Sequence, residues 1–191
     1  MTKQESLAKA SKELMLTEPY YGLTLMSLNK FWDIGNVPTA GVGLDGINYN
    51  LVINSEFWNE LPQKQKVGIL KHELLHICFF HLEMRKDYGD ARLFNIAADL
   101  EINQYIKKEN LPDGALLLTT FPTIHLEPNK GTAYYYEKLQ SNLQKPKRPK
   151  PDNSQSSSQE MEMDSSGSDD AQSGDDGANQ SQANESMGGS Q

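Results

Sequence analysis

Residues 71–83, Lys-His-Glu-Leu-Leu-His-Ile-Cys-Phe-Phe-His-Leu-Glu, constrain this chain more than any other stretch. With Ile69 and Leu70 they place apolar side chains almost all round a helix, and a helix of that kind is buried. The same helix carries imidazoles and a carboxylate, which are costly to bury without partners. His72 and His76 stand four residues apart, so both project from one helical face about one turn from each other. That spacing suits a single metal ion. Glu73 lies roughly 100 degrees round the helix from His72, beside the pair without sharing its face, where it is free to hold a water. His-Glu-x-x-His in this form is the pattern with which zinc hydrolases supply two nitrogen ligands and a general base. A bound cation would give the buried imidazoles their partner.

A third ligand has to come from elsewhere. Residues 91–107 read as a second helix, nearly encircled by Leu93, Phe94, Ile96, Ala97, Leu100, Ile102 and Ile106. Its two acids, Asp99 and Glu101, stand about 200 degrees apart, so only one can face the metal. Asp99 has Asn95 and Asn103 four residues to either side, a polar stripe along an apolar rod, whereas Glu101 stands among Phe94, Ala98 and Tyr105. Asp99 is therefore the expected third ligand, with Asn95 or Asn103 to hold the ligands from behind. His81 is the competing third ligand. The metal-bearing helix is expected to run from about Gln63 to Lys86, with Gly89 marking its end. On an unbroken helix His81 sits about 180 degrees from His72 and points to the opposite side. Patterns that do use such a third His reach it through a helix-breaking Gly. Ile77, Cys78, Phe79 and Phe80 contain no breaker, so His81 reads as a hydrogen-bonded structural histidine and Cys78 as a small buried filler.

The flanking chain supplies the rest of a domain. Ser6 to Leu16 has helical apolar spacing at Leu7, Ala10 and Leu14, and Pro19 ends that helix. Tyr20 to Phe31 forms a second apolar-striped helical candidate beginning after Gly22. Asn36 to Ala40 is a loop, and Gly41–Leu44 and Tyr49–Ile53 read as two strands joined through Asp45-Gly46, a hairpin signal. A hairpin just before the metal helix matters, because in zinc peptidases an edge strand near the metal can accept an extended substrate as an added strand. Which of the two strands is the edge is not legible. Ala115 to Thr120 is a strand or a buried connector, and Thr132 can cap a last helix through Gln140. A hydrolase also needs a donor for the developing oxyanion, for which His125, Tyr134, Tyr135 and Tyr136 are weak candidates.

Composition excludes several classes. From Pro151 to Gln191 there are nine acidic residues and no Lys or Arg, against a net charge of −8 for all 191 residues, so the acidity belongs to the tail and the body is near neutral. Without a dense basic patch beyond Lys145, Lys147, Arg148 and Lys150, nucleic-acid binding is not indicated. The single cysteine excludes an internal disulfide and a Cys-rich zinc site, which fits a reducing, cytoplasmic location. No signal-peptide core and no membrane-spanning apolar stretch occurs, so the protein is expected to be soluble, unexported and without a membrane partner. Residues 141–191 lack the apolar surface to offset chain entropy and are expected to form a disordered Ser/Gln/Asp-rich linker or tail after a domain spanning 1–140.

Residues 7–140 resemble the metallopeptidase domain found at the N-terminus of bacterial and phage proteins that often carry a von Willebrand A-like domain. The resemblance rests on Pro19-Tyr20-Tyr21-Gly22, on Thr39-Ala40 through Asp45-Gly46 before Asn50, and on His72-Glu73-Leu74-Leu75-His76 followed by His81. It continues through Ala98-Asp99-Leu100-Glu101-Ile102-Asn103 and ends at Gly131-Thr132-Ala133 with Tyr136 and Leu139. It implies a zincin-like fold and peptidase activity on a peptide or protein substrate. No von Willebrand A-like domain follows the acidic segment, so the expectation is a short form, or a von Willebrand A-like or ATPase partner encoded separately. The resulting reading is an α+β, zincin-like domain, mostly helical with a small antiparallel sheet. His72, His76 and Asp99 hold Zn²⁺ and Glu73 is the general base. The rival reading is a non-catalytic, metal-stabilised interaction module, to which a base beside the ligands is of no use.

Overall fold

In the computed structural model, which describes residues 1–143, the first helix (α1, Lys3–Thr17) starts at a capping box. The Glu5 N–H donates to Thr2 Oγ1 at 3.1 Å and the Thr2 N–H to Glu5 Oε2 at 2.9 Å, so α1 begins before Ser6, where apolar spacing alone places it. Pro19 ends α1 as expected, and it also opens α2 (Pro19–Ser27), at a position where its missing N–H costs nothing. Gly22 is needed there, because a Cβ on it would stand 2.4 Å from the Met15 Cα where the two helices cross.

The helix expected from Tyr20 to Phe31 is cut short. Asn29–Asp33 forms a strand, β1, that pairs in parallel with β3 (Asn48–Asn54), Phe31 opposite Val52. Pairing in the sheet overrides a local apolar spacing that also fits a helix. β2 (Ala40–Asp45) and β3 form the expected antiparallel hairpin, with Asp45 opposite Asn48 and Gly46-Ile47 as a two-residue loop. Of those two residues only Gly46 has positive φ, 61°, the order of a type II′ turn. The strand order is β1-β3-β2, so the sheet is mixed and not the antiparallel sheet expected from the hairpin alone. Residues 34–39 carry the chain from one side of β3 to the other. Asp33 holds that loop, its Oδ2 accepting from the N–H groups of Gly35, Asn36 and Val37, while Asn54 Nδ2 donates to the Val37 carbonyl at 2.8 Å.

Asn54 also caps α3 (Ser55–Glu60), accepting from Glu56 and Phe57, and the buried Trp58 of that helix donates its indole N–H to Ser6 Oγ at 3.1 Å. The helix that carries His72 and His76, α4 (Gln63–Cys78), follows. Val67, Leu70 and Leu74 pack with Leu7, Ala10 and Leu14 of α1, with Leu51 and Ile53 of β3 and with Trp58. Leu75 packs with Ile102, Ile106 and Leu111. Each fully buried aliphatic side chain of this kind contributes about 1.5–3 kcal/mol of hydrophobic stabilisation. Gly68 lets α4 approach the backbone at Asn110, whose carbonyl oxygen would lie 1.8 Å from a Cβ at that position. A second core joins Phe94, Ala97 and Leu100 of α6 (Ala91–Ile102) to Tyr135, Tyr136 and Leu139 of α7 (Thr132–Leu143).

α4 does not continue to Lys86. It stops at Cys78, Phe80 adopts a left-handed conformation with φ 58°, and a short helix, α5 (His81–Met84), starts in a new direction. Nothing in the local sequence signals that break, since Phe is a poor occupant of left-handed space. Likewise α6 gives way after Ile102 to a 3₁₀ turn at Asn103–Tyr105 and does not reach Lys107. Ala115–Thr120 is a connector ending in a 3₁₀ turn at Leu118–Thr120, not a strand. Among the described residues the chain is mostly helical, and no helix is long and apolar enough to cross a membrane. α7 runs on to Leu143, and nearly all of the expected tail lies outside the described residues.

Candidate metal centre

The last turns of α4 and the last turn of α6 bring His72, His76 and Asp99 together. His72 Nε2 and His76 Nε2 stand 3.2 Å apart, and Asp99 Oδ1 lies 3.4 Å from the first and 3.3 Å from the second. A tetrahedral zinc about 2.0–2.1 Å from nitrogen and oxygen ligands requires ligand atoms roughly 3.3–3.4 Å apart. The three atoms form that triangle, and two imidazole nitrogens with one carboxylate are a zinc donor set.

The electrostatics of the cluster favour a cation. Burial pulls His72 toward its neutral form, but the hydrogen bond to Asp99 and the charges of Glu73 and Asp99 outweigh it and raise the imidazole to about 9. Burial would raise Asp99, yet its contacts with His72 and His76 lower it to about 2. Positive charge at His72 and negative charge at Asp99 stabilise each other, as a shared metal ion would.

Each imidazole is held from behind. His72 Nδ1 lies 2.9 Å from Asn103 Oδ1, and Asn103 Nδ2 donates to the Leu116 carbonyl at 2.9 Å. Of the two asparagines on the polar stripe, Asn103 is thus the one behind an imidazole, while Asn95 lines the cleft. His76 Nδ1 lies 3.0 Å from Nδ1 of His81. The break at Phe80 therefore corrects the expectation that His81 points to the opposite side. Buried at 3% exposure, it sits directly behind His76, on the ring edge away from Asp99, so it is hydrogen-bonded as expected. Its Nε2 lies 2.9 Å from Thr132 Oγ1 and 3.5 Å from Glu101 Oε2. Glu101 also accepts from the Thr132 N–H at 2.6 Å and from the Thr132 hydroxyl. Burial opposes the charge on Glu101, but these donors hold its carboxyl below the usual range. The Thr132 and Leu116 partners escaped the sequence reading, because only the tertiary packing joins them to the site.

Glu73 is buried at 6% exposure beside His72 and lines the same cleft, with no hydrogen bond or ion pair among the described residues. The cleft has a volume of about 650 Å³ and is bounded by residues 39–44 on one side and by the histidines and Asp99 on the other. β2 is an edge strand of the sheet, which resolves the question the sequence left open. In a two-residue hairpin the pairs Asp45–Asn48, Gly43–Asn50 and Gly41–Val52 exchange the ladder hydrogen bonds, and Asn54 N–H donating to Thr39 O at 2.8 Å continues that register. The N–H and C=O groups of Ala40, Val42 and Leu44 therefore point away from β3. A Cβ at Gly41 or Gly43 would meet nothing within 4 Å, so the sheet face those two residues occupy is also open.

The expected oxyanion donors are elsewhere. His125 is exposed, and the hydroxyls of Tyr134, Tyr135 and Tyr136 bond the backbone at Glu127, Lys130 and Asp90. None of the four lines the cleft, whereas Asn95, Arg85 and Lys86 do.

Fold and cleft together define a mostly helical domain with a candidate three-residue metal site beside a sheet edge. The chain belongs to the family described as "Putative metallopeptidase domain", whose model matches residues 2–191. It is also similar to an uncharacterized protein of Thermotoga maritima, 26% identical over 113 residues, which are 56% of this chain and 27% of that protein. The chain thus spans well under half the length of this relative. No solved structure matches it.

Proposed function

We propose that this domain is a zincin-like, zinc-dependent metallopeptidase that hydrolyses peptide bonds in an extended substrate laid along β2. The observation that carries the reading is the triangle of His72 Nε2, His76 Nε2 and Asp99 Oδ1, with the unbonded, buried carboxylate of Glu73 beside it. When bound, zinc supplies Lewis acidity and brings the pKa of a water to about 7. His72, His76 and Asp99 would hold the ion and leave a fourth position open, as catalytic zinc sites do.

Glu73 then moves the proton. Its carboxylate takes a proton from the attacking water as the new C–O bond forms, and gives it to the amine nitrogen as the C–N bond breaks. A base buried beside the ligands and engaged with no other group is poised for that transfer. The outward N–H and C=O groups of Ala40, Val42 and Leu44 pair with the substrate backbone as an added strand, which fixes its direction across the site. Asn95, one turn before Asp99 on α6, offers an amide donor from the opposite wall.

The test is metal analysis of the purified protein together with cleavage of a broad peptide library. About one zinc per chain, lost in His72→Ala, with zinc-dependent cleavage, is expected. A protein that takes up no transition metal on reconstitution would remove the site.

A further inference from the structure

To hold an ion together with Asp99, both histidines have to offer it an unprotonated Nε2, yet an isolated imidazole does not dictate which nitrogen keeps the proton. The hydrogen-bond partners of the other nitrogen decide it. Behind His72 the chain of partners ends at the Leu116 carbonyl, which can only accept. Asn103 spends its Nδ2 donor there, so its Oδ1 faces His72, and His72 must carry its proton on Nδ1.

A longer chain stands behind His76. It ends at the Glu101 carboxylate, again an acceptor only, which takes both the N–H and the hydroxyl of Thr132 on Oε2. With its proton committed to Glu101, the Thr132 oxygen accepts from His81 Nε2–H at 2.9 Å. His81 protonated on Nε2 presents a bare Nδ1 to His76, 3.0 Å away. His76 is then the donor through Nδ1–H, and its Nε2 lone pair is left for the cleft. The opposite arrangement fails at every link. A hydroxyl turned toward His81 would set its lone pair against Glu101, and His81 protonated on Nδ1 would force His76 to protonate Nε2. His81 and Thr132 are only 3% and 2% exposed, so water does not stand in for a lost partner.

We infer that Thr132, at the start of α7, is a positioning residue for the metal site: its hydroxyl, anchored on Glu101, acts through His81 to select the tautomer in which His76 offers Nε2 to the ion. This rests on the metal reading above, and it makes the docking of α7 part of the site. The left-handed turn at Phe80 acquires a reason, since it aims His81 between His76 and Thr132.

Thr132→Val and Thr132→Ser test it. Valine keeps the shape and the backbone N–H that donates to Glu101 and removes only the hydroxyl, whereas serine keeps the hydroxyl. Zinc affinity, read by competition with a chromophoric chelator, is expected to weaken about 10–100-fold in Thr132→Val and to stay near wild type in Thr132→Ser. Imidazole nitrogen NMR of the zinc-free wild type should show His81 protonated on Nε2 and bare at Nδ1, with that preference lost in Thr132→Val. Wild-type affinity in Thr132→Val, or a proton on His81 Nδ1 in the wild type, overturns the inference. The wild-type spectrum decides even where Thr132→Val does not fold. Failure of the wild type to bind zinc sinks the metal reading instead, and the His81 tautomer in the same sample still tests the relay.

Discussion

Asp99 and His76 meet from different helices, Oδ1 to Nε2 at 3.3 Å, with His72 closing the triangle. His81, for all its proximity in sequence, meets only the far edge of His76. Asp99→Ala should therefore weaken zinc binding far more than His81→Ala, which removes a partner of a ligand and should cost about 10–100-fold. Chelator competition on both variants checks the order. Zinc retained by Asp99→Ala but stripped by His81→Ala would exchange their roles.

Glu73→Gln should keep zinc content and fold, because Glu73 bonds nothing among the described residues and the amide is nearly isosteric. Gln cannot accept the water's proton, so peptide cleavage should fall by about 10²–10⁴. A non-catalytic interaction module would be indifferent to this change. Complementation of a deletion phenotype by zinc-loaded Glu73→Gln would remove hydrolysis as the biological role.

Val42 faces Leu51 at a pair that exchanges no ladder hydrogen bonds, so its N–H points outward from β2. Proline is tolerated at such edge positions and, of the backbone groups, deletes only the outward donor, while its ring stands in for the Val42 side chain against the core. Val42→Pro is expected to raise KM for extended peptides severalfold with a small change in melting temperature. Unchanged KM would detach substrate binding from this edge.

Phe80 is 62% exposed and held at φ 58°, so its side chain contributes little burial while its backbone is strained. Glycine adopts that conformation without a Cβ penalty. Phe80→Gly should leave metal affinity intact and change stability in the favourable direction, by up to about 1 kcal/mol. A clear loss in urea unfolding would show that the ring, not the turn, holds α5.

Asp33 accepts backbone donors from Val37, Gly35 and Asn36 and a side-chain donor from Asn36, and these hold its carboxyl well below 3.8. A folded pKa lowered in this way gives stability that is present above the unfolded value of about 3.9 and lost as pH falls below it. Asp33→Ala should therefore be less stable than wild type at neutral pH, and the gap should close as acid is added. Urea unfolding along a pH series measures both. A gap that stays constant would take the Asp33 carboxylate out of the acid response.

Much of the site was legible in the residues themselves. Four-residue spacing on a continuously apolar helix places His72 and His76 on one face wherever that helix packs, because helical geometry is local. The polar stripe Asn95, Asp99, Asn103 likewise singled out Asp99 over Glu101, and those two carboxylates do face different partners. The β2–β3 hairpin announced itself through Asp45-Gly46, a short-range turn preference. The capping box at Thr2 and Glu5 was equally readable and sets a start for α1 that apolar spacing alone misses.

Only the tertiary structure decided the rest. Phe31 joins a strand and not a helix because β3 offers a parallel partner, and nothing near Phe31 in sequence encodes that partner. The same pairing makes the sheet mixed and gives β2, rather than β3, the free edge beside the cleft. Phe80 breaks the helix of His72 and His76 without a Gly, Pro or Asn, against its own local preference. Packing supplies the reason, in a buried His81 caught between His76 and Thr132. Helical period and turn chemistry are properties of neighbouring residues, so the sequence states them directly. Edges, helix breaks and the partners behind a ligand depend on contacts between residues far apart in the chain, and those exist only once it has folded.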